Sequence, residues 1–245
     1  VQPTSVLTPF VEELSVIDFP FLWADKDELY RIMDGEVGGK FYAFCEKKGF
    51  KTLGLWASGF KQITTKGRPV NAPEDLKGMK IRVMPSPQLV EQYKSWGANP
   101  IPIEYAELYN ALQQNIVDGQ ENPLQTIAMA KLYEVQDYLT ISDHGFLGYL
   151  FIVNRRWFEK QGEDVRKLIV ECERGAREAE RLAQAEGEAR FLGQIKQSKI
   201  AVGELTDENR AKFIEVSKPL HDKFVEGSAT KAELLKAVYE AKEVR

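Results

Sequence analysis

Hydrophobic positions along the chain recur in two rhythms that alternate at short intervals. Residues 15–22, SVIDFPFL, form an apolar run that predicts a buried strand passing into a turn. DKDELYRIM, from Asp25, opens with acids that suit the positive end of a helix. GGKFYAFCEKKG continues as helix, with Gly49 placed to cap it. TLGLWASG, residues 52–59, predicts the next strand. The turn-rich TTKGRPVNAPEDLKG follows, and then the strand KIRVM at 80–84. Ser86 and Pro87 supply an N-cap and a first-turn proline. The helix behind them places Leu89, Tyr93 and Trp96 on one face, and Gly97 ends it.

A short extended piece, PIPI, leads to the helix YAELYNALQQN, in which Tyr105, Leu108, Tyr109 and Leu112 share a side. IVDG then returns as a strand, and the polar QENP reads as a turn closed by Pro123. Strand and helix alternating in this way predict an α/β fold with a largely parallel sheet. Ligand clefts in such folds open beyond the carboxyl ends of the strands. YLFIVN, residues 149–154, is one more strand. From about Glu163 to Gln197 the pattern is a single long helix with Leu168, Cys172, Ala176, Ala179 and Ala183 as its apolar stripe. At ~1.5 Å per residue it exceeds about 45 Å, long enough to run across two lobes. Two more helices follow, TDENRAKFIEVSKPLHDKFVE and KAELLKAVYEAKEV.

Composition narrows the function classes. The 245 residues are 43 % hydrophobic and 29 % charged, with a net charge of -4, so there is no basic footprint for nucleic acid. No apolar run approaches the roughly 20 residues that span a bilayer. The opening VQPTSVLTPF has neither a Met nor a signal peptide and reads as the middle of a protein, with a targeting segment removed upstream. The two cysteines, Cys45 and Cys172, form no CxxC or Cys/His cluster, and two buried thiols are expected, with a single disulfide as the alternative. No metal site and no cofactor motif is legible.

One charge is out of place. In KIRVM, alternation sets Ile81 and Val83 on one face and Lys80, Arg82 and Met84 on the other. Arg82 lies near the carboxyl end of the strand, where it is either paired internally or awaits an anion. A guanidinium matches a carboxylate bidentately, so a carboxylate clamp stands against a salt bridge to Glu104, Asp118 or Glu121. Asn122 can donate to a carboxylate or simply start a turn. Tyr105 can lie against a ligand or join the core. Lys61, just after a strand, can add a second positive charge. His144 beside Asp143 invites acid–base chemistry, but no nucleophile or metal motif accompanies the pair.

Taken together, PEDLKGMKIRVMPSP, GANPIPIEYAELYNALQQNIVDGQENPL, KLYEVQDYLTISDH and the opening TSVLTPFVEELSVIDFPFLW resemble the DctP-type solute-binding proteins of TRAP transporters. These are the periplasmic receptors of tripartite ATP-independent transport systems. The resemblance covers nearly the whole chain. It implies a two-lobed α/β fold with a ligand cleft between the lobes and a long helix spanning both. Residues 1–59 with 148–187 would form the first lobe, and 60–147 with 188–245 the second.

The resemblance further implies a small organic acid as ligand: a C4-dicarboxylate, a sugar acid or a keto acid. Arg82 falls on the family's carboxylate-binding arginine, Asn122 on its QENP asparagine and Tyr105 on its cleft aromatic. Lys61 stands where a second basic residue is usual, and keeps the charge without the fork. Tyr149, Thr4 and Ser5 match by position. The family's opening strand–helix–strand–helix stretch is missing before TSVL, which points to a truncated or partly recorded chain. The expected partners are the membrane permease subunits, the expected location the periplasm, and a monomer is the default. Two alternatives remain: an enzyme using His144 and Asp143 on an organic acid, and the sensing domain of a signalling receptor.

Overall fold

The structure is a computed structural model and describes residues 1–244. Its elements in chain order are β1 (Gln2–Pro3), α1 (Thr4–Leu7), α2 (Lys26–Met33), α3 (Glu36–Lys47), β2 (Phe50–Thr65), β3 (Lys80–Val83), α4 (Pro87–Ser95), β4 (Asn99–Pro102), α5 (Leu108–Gln113), β5 (Gly119–Pro123) and α6 (Leu124–Met129). They continue with β6 (Tyr138–Ile141), β7 (Phe146–Asn154), α7 (Arg155–Glu159), α8 (Glu163–Lys196), β8 (Ala201–Glu204), α9 (Asp207–Val225) and α10 (Ala229–Glu243).

β2 joins two sheets. Its first part, from Phe50 to Phe60, pairs antiparallel with β7, whose other edge carries β1. Its last residues, Lys61–Thr65, pair antiparallel with β5, and β3 lies parallel to both β5 and β4. β6 pairs with β2 and β8 and completes the second sheet. A β-bulge falls between Ala57 and Gly59. There Gly59 takes φ +114, which a side chain would strain. The chain thus turns from one sheet into the other at a glycine.

The apolar residues gather accordingly. Leu14, Ile17, Phe41, Leu55 and Leu150 share one core. Ile63, Ile81, Val83, Tyr93 and Trp96 share a second, and Leu112, Ile127, Leu139 and Ile195 a third. Leu234, Leu235 and Val238 of α10 join the first core, whereas sequence reasoning expects residues 188–245 in the other lobe. The turn at Gly227, φ +69, sends α10 back along α9.

α8 runs 34 residues, about 50 Å at the helical rise. Glu173 accepts from Trp56 Nε1 at 2.9 Å, Gln184 Nε2 donates to the Ser58 carbonyl at 2.9 Å, and Ile195 is buried in the third core. One helix therefore touches the first sheet, the crossing and the third core. The stripe expected to bury it, from Leu168 through Ala183, faces outward instead. α8 is held by polar side chains, including Arg177 and Arg181 to Asp34. Cys172 is correspondingly exposed, while Cys45 is buried; neither is in a disulfide.

Two other local expectations differ. Residues 15–22 are not a strand: Glu12–Asp18 form a 3-10 helix, buried from Leu14 onward. A short apolar run buried on all sides reads alike in either conformation. QENP is not a turn either. It belongs to β5, which is paired by β2 and β3, and Pro123 caps α6.

Candidate ligand-binding site

β3 and β5 run side by side with Arg82 opposite Gln120. This register puts Arg82 on one strand and Asn122 near the carboxyl end of the next. Arg82 is 1 % exposed. Its Nε donates to the Ile103 carbonyl at 2.8 Å, and its Nη2 has no hydrogen-bond partner. Among the described residues no acid pairs with it. Asp118 accepts from the Lys80 backbone N–H at 2.7 Å, and Glu121 is held by Lys61 and His144. Burial pulls the Arg82 pKa down, with Glu121 and Glu104 opposing. The group is a desolvated cation with no paired acid among the described residues.

Beside it lies a cavity of about 290 Å³. Arg82, Glu104, Asn122 and Thr126 supply its polar lining, Tyr105 and Tyr149 its aromatic walls, and Val6, Met84 and Leu147 much of the rest. Pro3 and Tyr149 come from the first sheet, and Arg82 and Asn122 from the second, so the cavity sits where the sheets meet. Asn122 Nδ2 donates to Gln120 Oε1, which fixes the amide. Burial raises the Tyr149 pKa, keeping its hydroxyl protonated and able to donate. A larger hollow of about 650 Å³ opens by Phe21, Trp23 and Phe60. Its cations are occupied: Lys26 pairs with Glu188 at 2.6 Å, and Arg210 donates to the Ser142 carbonyl at 2.9 Å.

Of the expected residues, Arg82, Asn122, Tyr105 and Tyr149 share this cavity. Lys61, Thr4 and Ser5 do not line it. Lys61 Nζ meets Glu121 Oε1 at 2.7 Å with both side chains buried. Glu121 Oε2 lies 2.8 Å from His144 Nε2, and Ser142 Oγ lies 2.7 Å from His144 Nδ1. Burial opposes ionisation of Glu121, but Lys61 and His144 outweigh it and lower its pKa to about 2. Burial lowers the His144 pKa. An ionised carboxylate only accepts, so a proton on His144 Nε2 points toward Glu121. His144 and Asp143 form no acid–base pair, since Asp143 accepts from Gln62 Nε2 at 2.6 Å. Among the described residues no cluster of His, Cys, Asp or Glu is placed to hold a metal.

Thr4 and Ser5 turn inward, while their neighbours Pro3 and Val6 line the cavity. Thr4 Oγ1 donates to Asp18 Oδ1 at 2.8 Å. Burial raises the Asp18 pKa to about 6, against the pull of Lys61. A raised folded-state pKa gives stability that is full below the unfolded value, 3.8, and is lost as pH rises to about 6. Relative to Asp18→Asn, the wild type should therefore lose about 2–3 kcal/mol between pH 4 and pH 7. Urea unfolding of both proteins across that range reads the difference, and parallel curves would contradict the assignment.

The family model for bacterial extracellular solute-binding protein, family 7, also named DctP, matches residues 2–228. The chain belongs to that family. Among curated relatives of this solute-binding family, the 2,3-diketo-L-gulonate-binding periplasmic protein YiaO of Escherichia coli is 33 % identical over 228 residues, covering 93 % of this chain and 69 % of its own. The first three curated relatives are spanned over 69, 58 and 63 % of their length. A TRAP periplasmic solute-binding protein from Sulfurospirillum deleyianum, solved with bound succinate, superposes with a TM-score of 0.91 at 35 % identity, covering 98 % of this chain and 78 % of that one. The sugar acid binding protein DctPAm from Advenella mimigardefordensis, in complex with galactonate, gives 0.91 at 32 % identity with the same coverage. The fold is thus the two-lobed one of TRAP solute-binding proteins, and these family members are binding proteins rather than enzymes. Among the described residues no helix is long and apolar enough to cross a membrane.

Proposed function

We propose that this chain captures a small organic acid outside the cytoplasm, in the periplasm, and delivers it to the membrane permease of a TRAP transporter. The observation that carries this reading is the buried Arg82 guanidinium, with Nη2 unpartnered beside a cavity. A carboxylate in that cavity would supply the missing acceptors in a charge-assisted pair. Asn122 and the Tyr149 hydroxyl would hold the rest of the ligand, with Tyr105 at the rim. Binding proteins elsewhere in the family carry succinate and galactonate, and both offer such a carboxylate.

Residues 1–59 and 148–187 would form one lobe, joined by the α10 segment 229–243. Residues 60–147 and 188–228 would form the other. Closure would bend β2 near Gly59, and contacts made only in the closed state would bias the equilibrium toward it. Thermal melting against a panel of organic acids tests the reading, because a ligand that binds only the native state raises Tm. At least one acid should do so at millimolar concentration; a flat response across hydroxy, keto and dicarboxylic acids would contradict it.

A further inference from the structure

The relatives that share this fold take ligands with one carboxylate and ligands with two, so family membership leaves the number open. The cavity itself does not. Arg82 is its one cation among the described residues, because Lys61, the residue positioned to be a second, is consumed by Glu121. Glu104 also lines the cavity and makes no ion pair or hydrogen bond through its side chain among the described residues. Its backbone is pinned beside the guanidinium. Ile103, the residue before it, accepts from Arg82 Nε at 2.8 Å and donates its N–H to the Val83 carbonyl at 3.2 Å. Among the described residues the site therefore presents one guanidinium and one carboxylate. An ionised carboxylate only accepts hydrogen bonds, and it repels a second anion.

We propose that Glu104 is a specificity-determining residue that restricts this cavity to monocarboxylates bearing a hydrogen-bond donor, a hydroxyl or an ammonium, and disfavours dicarboxylates. The proposal rests on the organic-acid reading of the same site. A ligand carboxylate on Arg82 neutralises the one unpaired cation. A second carboxylate then meets Glu104 with no cation left to offset it. A hydroxyl or ammonium at the same place donates to Glu104 instead. Asn122, Thr126 and Tyr149 add neutral donors and acceptors suited to hydroxyls. A cavity near 290 Å³ lies at the small end of ligand pockets, about 300 Å³, which favours short acids.

Four acids of equal chain length separate the possibilities: erythronate, 4-aminobutyrate, butyrate and succinate. Calorimetric titration of the wild-type chain should find erythronate or 4-aminobutyrate tighter than butyrate, and succinate weakest; which of the first two wins tells hydroxyl from ammonium. In Glu104→Gln, succinate should bind about fivefold tighter, the size of a repulsion between unit charges a few Å apart in water-like surroundings. Glu104 is exposed, so the substitution leaves the fold intact. Succinate binding as well as erythronate in the wild type, or no gain in Glu104→Gln, overturns the proposal. If such succinate binding is lost in Arg82→Ala, the organic-acid reading survives that failure. If none of the four binds, the proposal falls, and the wider acid panel decides the reading separately.

Discussion

Arg82→Ala is expected to weaken binding of the captured acid by about 2–5 kcal/mol, the usual loss when one partner of a desolvated charge pair is removed. That is roughly 30-fold to several-thousand-fold in Kd. The same substitution should leave the ligand-free protein as stable as before, or more so. Arg82 is buried with Nη2 unpartnered, so its removal relieves a desolvation cost that Glu121 and Glu104 oppose only from outside ion-pair distance. Loss of affinity without loss of stability separates a binding residue from a structural one. Calorimetry and thermal melting of the apo protein read the two halves. Unchanged affinity would remove Arg82 from the site, and a large fall in Tm would make it structural.

Lys61→Ala should behave in the opposite way. Lys61 is as buried as Arg82, at 1 % exposure each, yet its ammonium meets Glu121 at 2.7 Å. Removing it strands a buried carboxylate, which typically costs about 3–5 kcal/mol. Urea unfolding should show that loss, and Glu121→Gln added to it should recover part, since the stranded charge goes with the glutamate. The Glu121 pKa of about 2, below its ordinary 4.5, sets the pH window. Its contribution is full above pH 4.5 and fades as pH falls toward 2. A Lys61→Ala protein with wild-type stability would show that the pair contributes nothing.

The contrast between these two cations explains what the sequence could and could not reveal. Strand alternation and the position of Arg82 near the carboxyl end of β3 marked it as a misplaced charge, and the structure keeps it without an acid. Lys61 carried a similar local signal. Its partner sits 60 residues away and meets it only because β5 pairs with the end of β2, with Ile63 opposite Glu121. Register between distant strands is not written in the local pattern.

The same gap accounts for QENP. Asparagine before proline reads as a turn, but pairing with β2 and β3 holds the segment as strand and lets Asn122 end it at the cavity. Thr4 and Ser5 stand between two cavity-lining residues, Pro3 and Val6, while their own hydroxyls turn toward the interior. α8 was legible in length but not in facing. Its apolar stripe points outward and polar groups hold it, an arrangement that inverts the usual reading of an amphipathic helix.

A crystal structure of the protein with the acid that raises its Tm most tests the central claim directly. The account predicts the ligand carboxylate at about 2.7–2.9 Å from the Arg82 guanidinium nitrogens, with Nη2 no longer unpartnered and Asn122 beside it. A carboxylate bound instead in the larger hollow by Phe21 and Lys26, with Arg82 untouched, would contradict it.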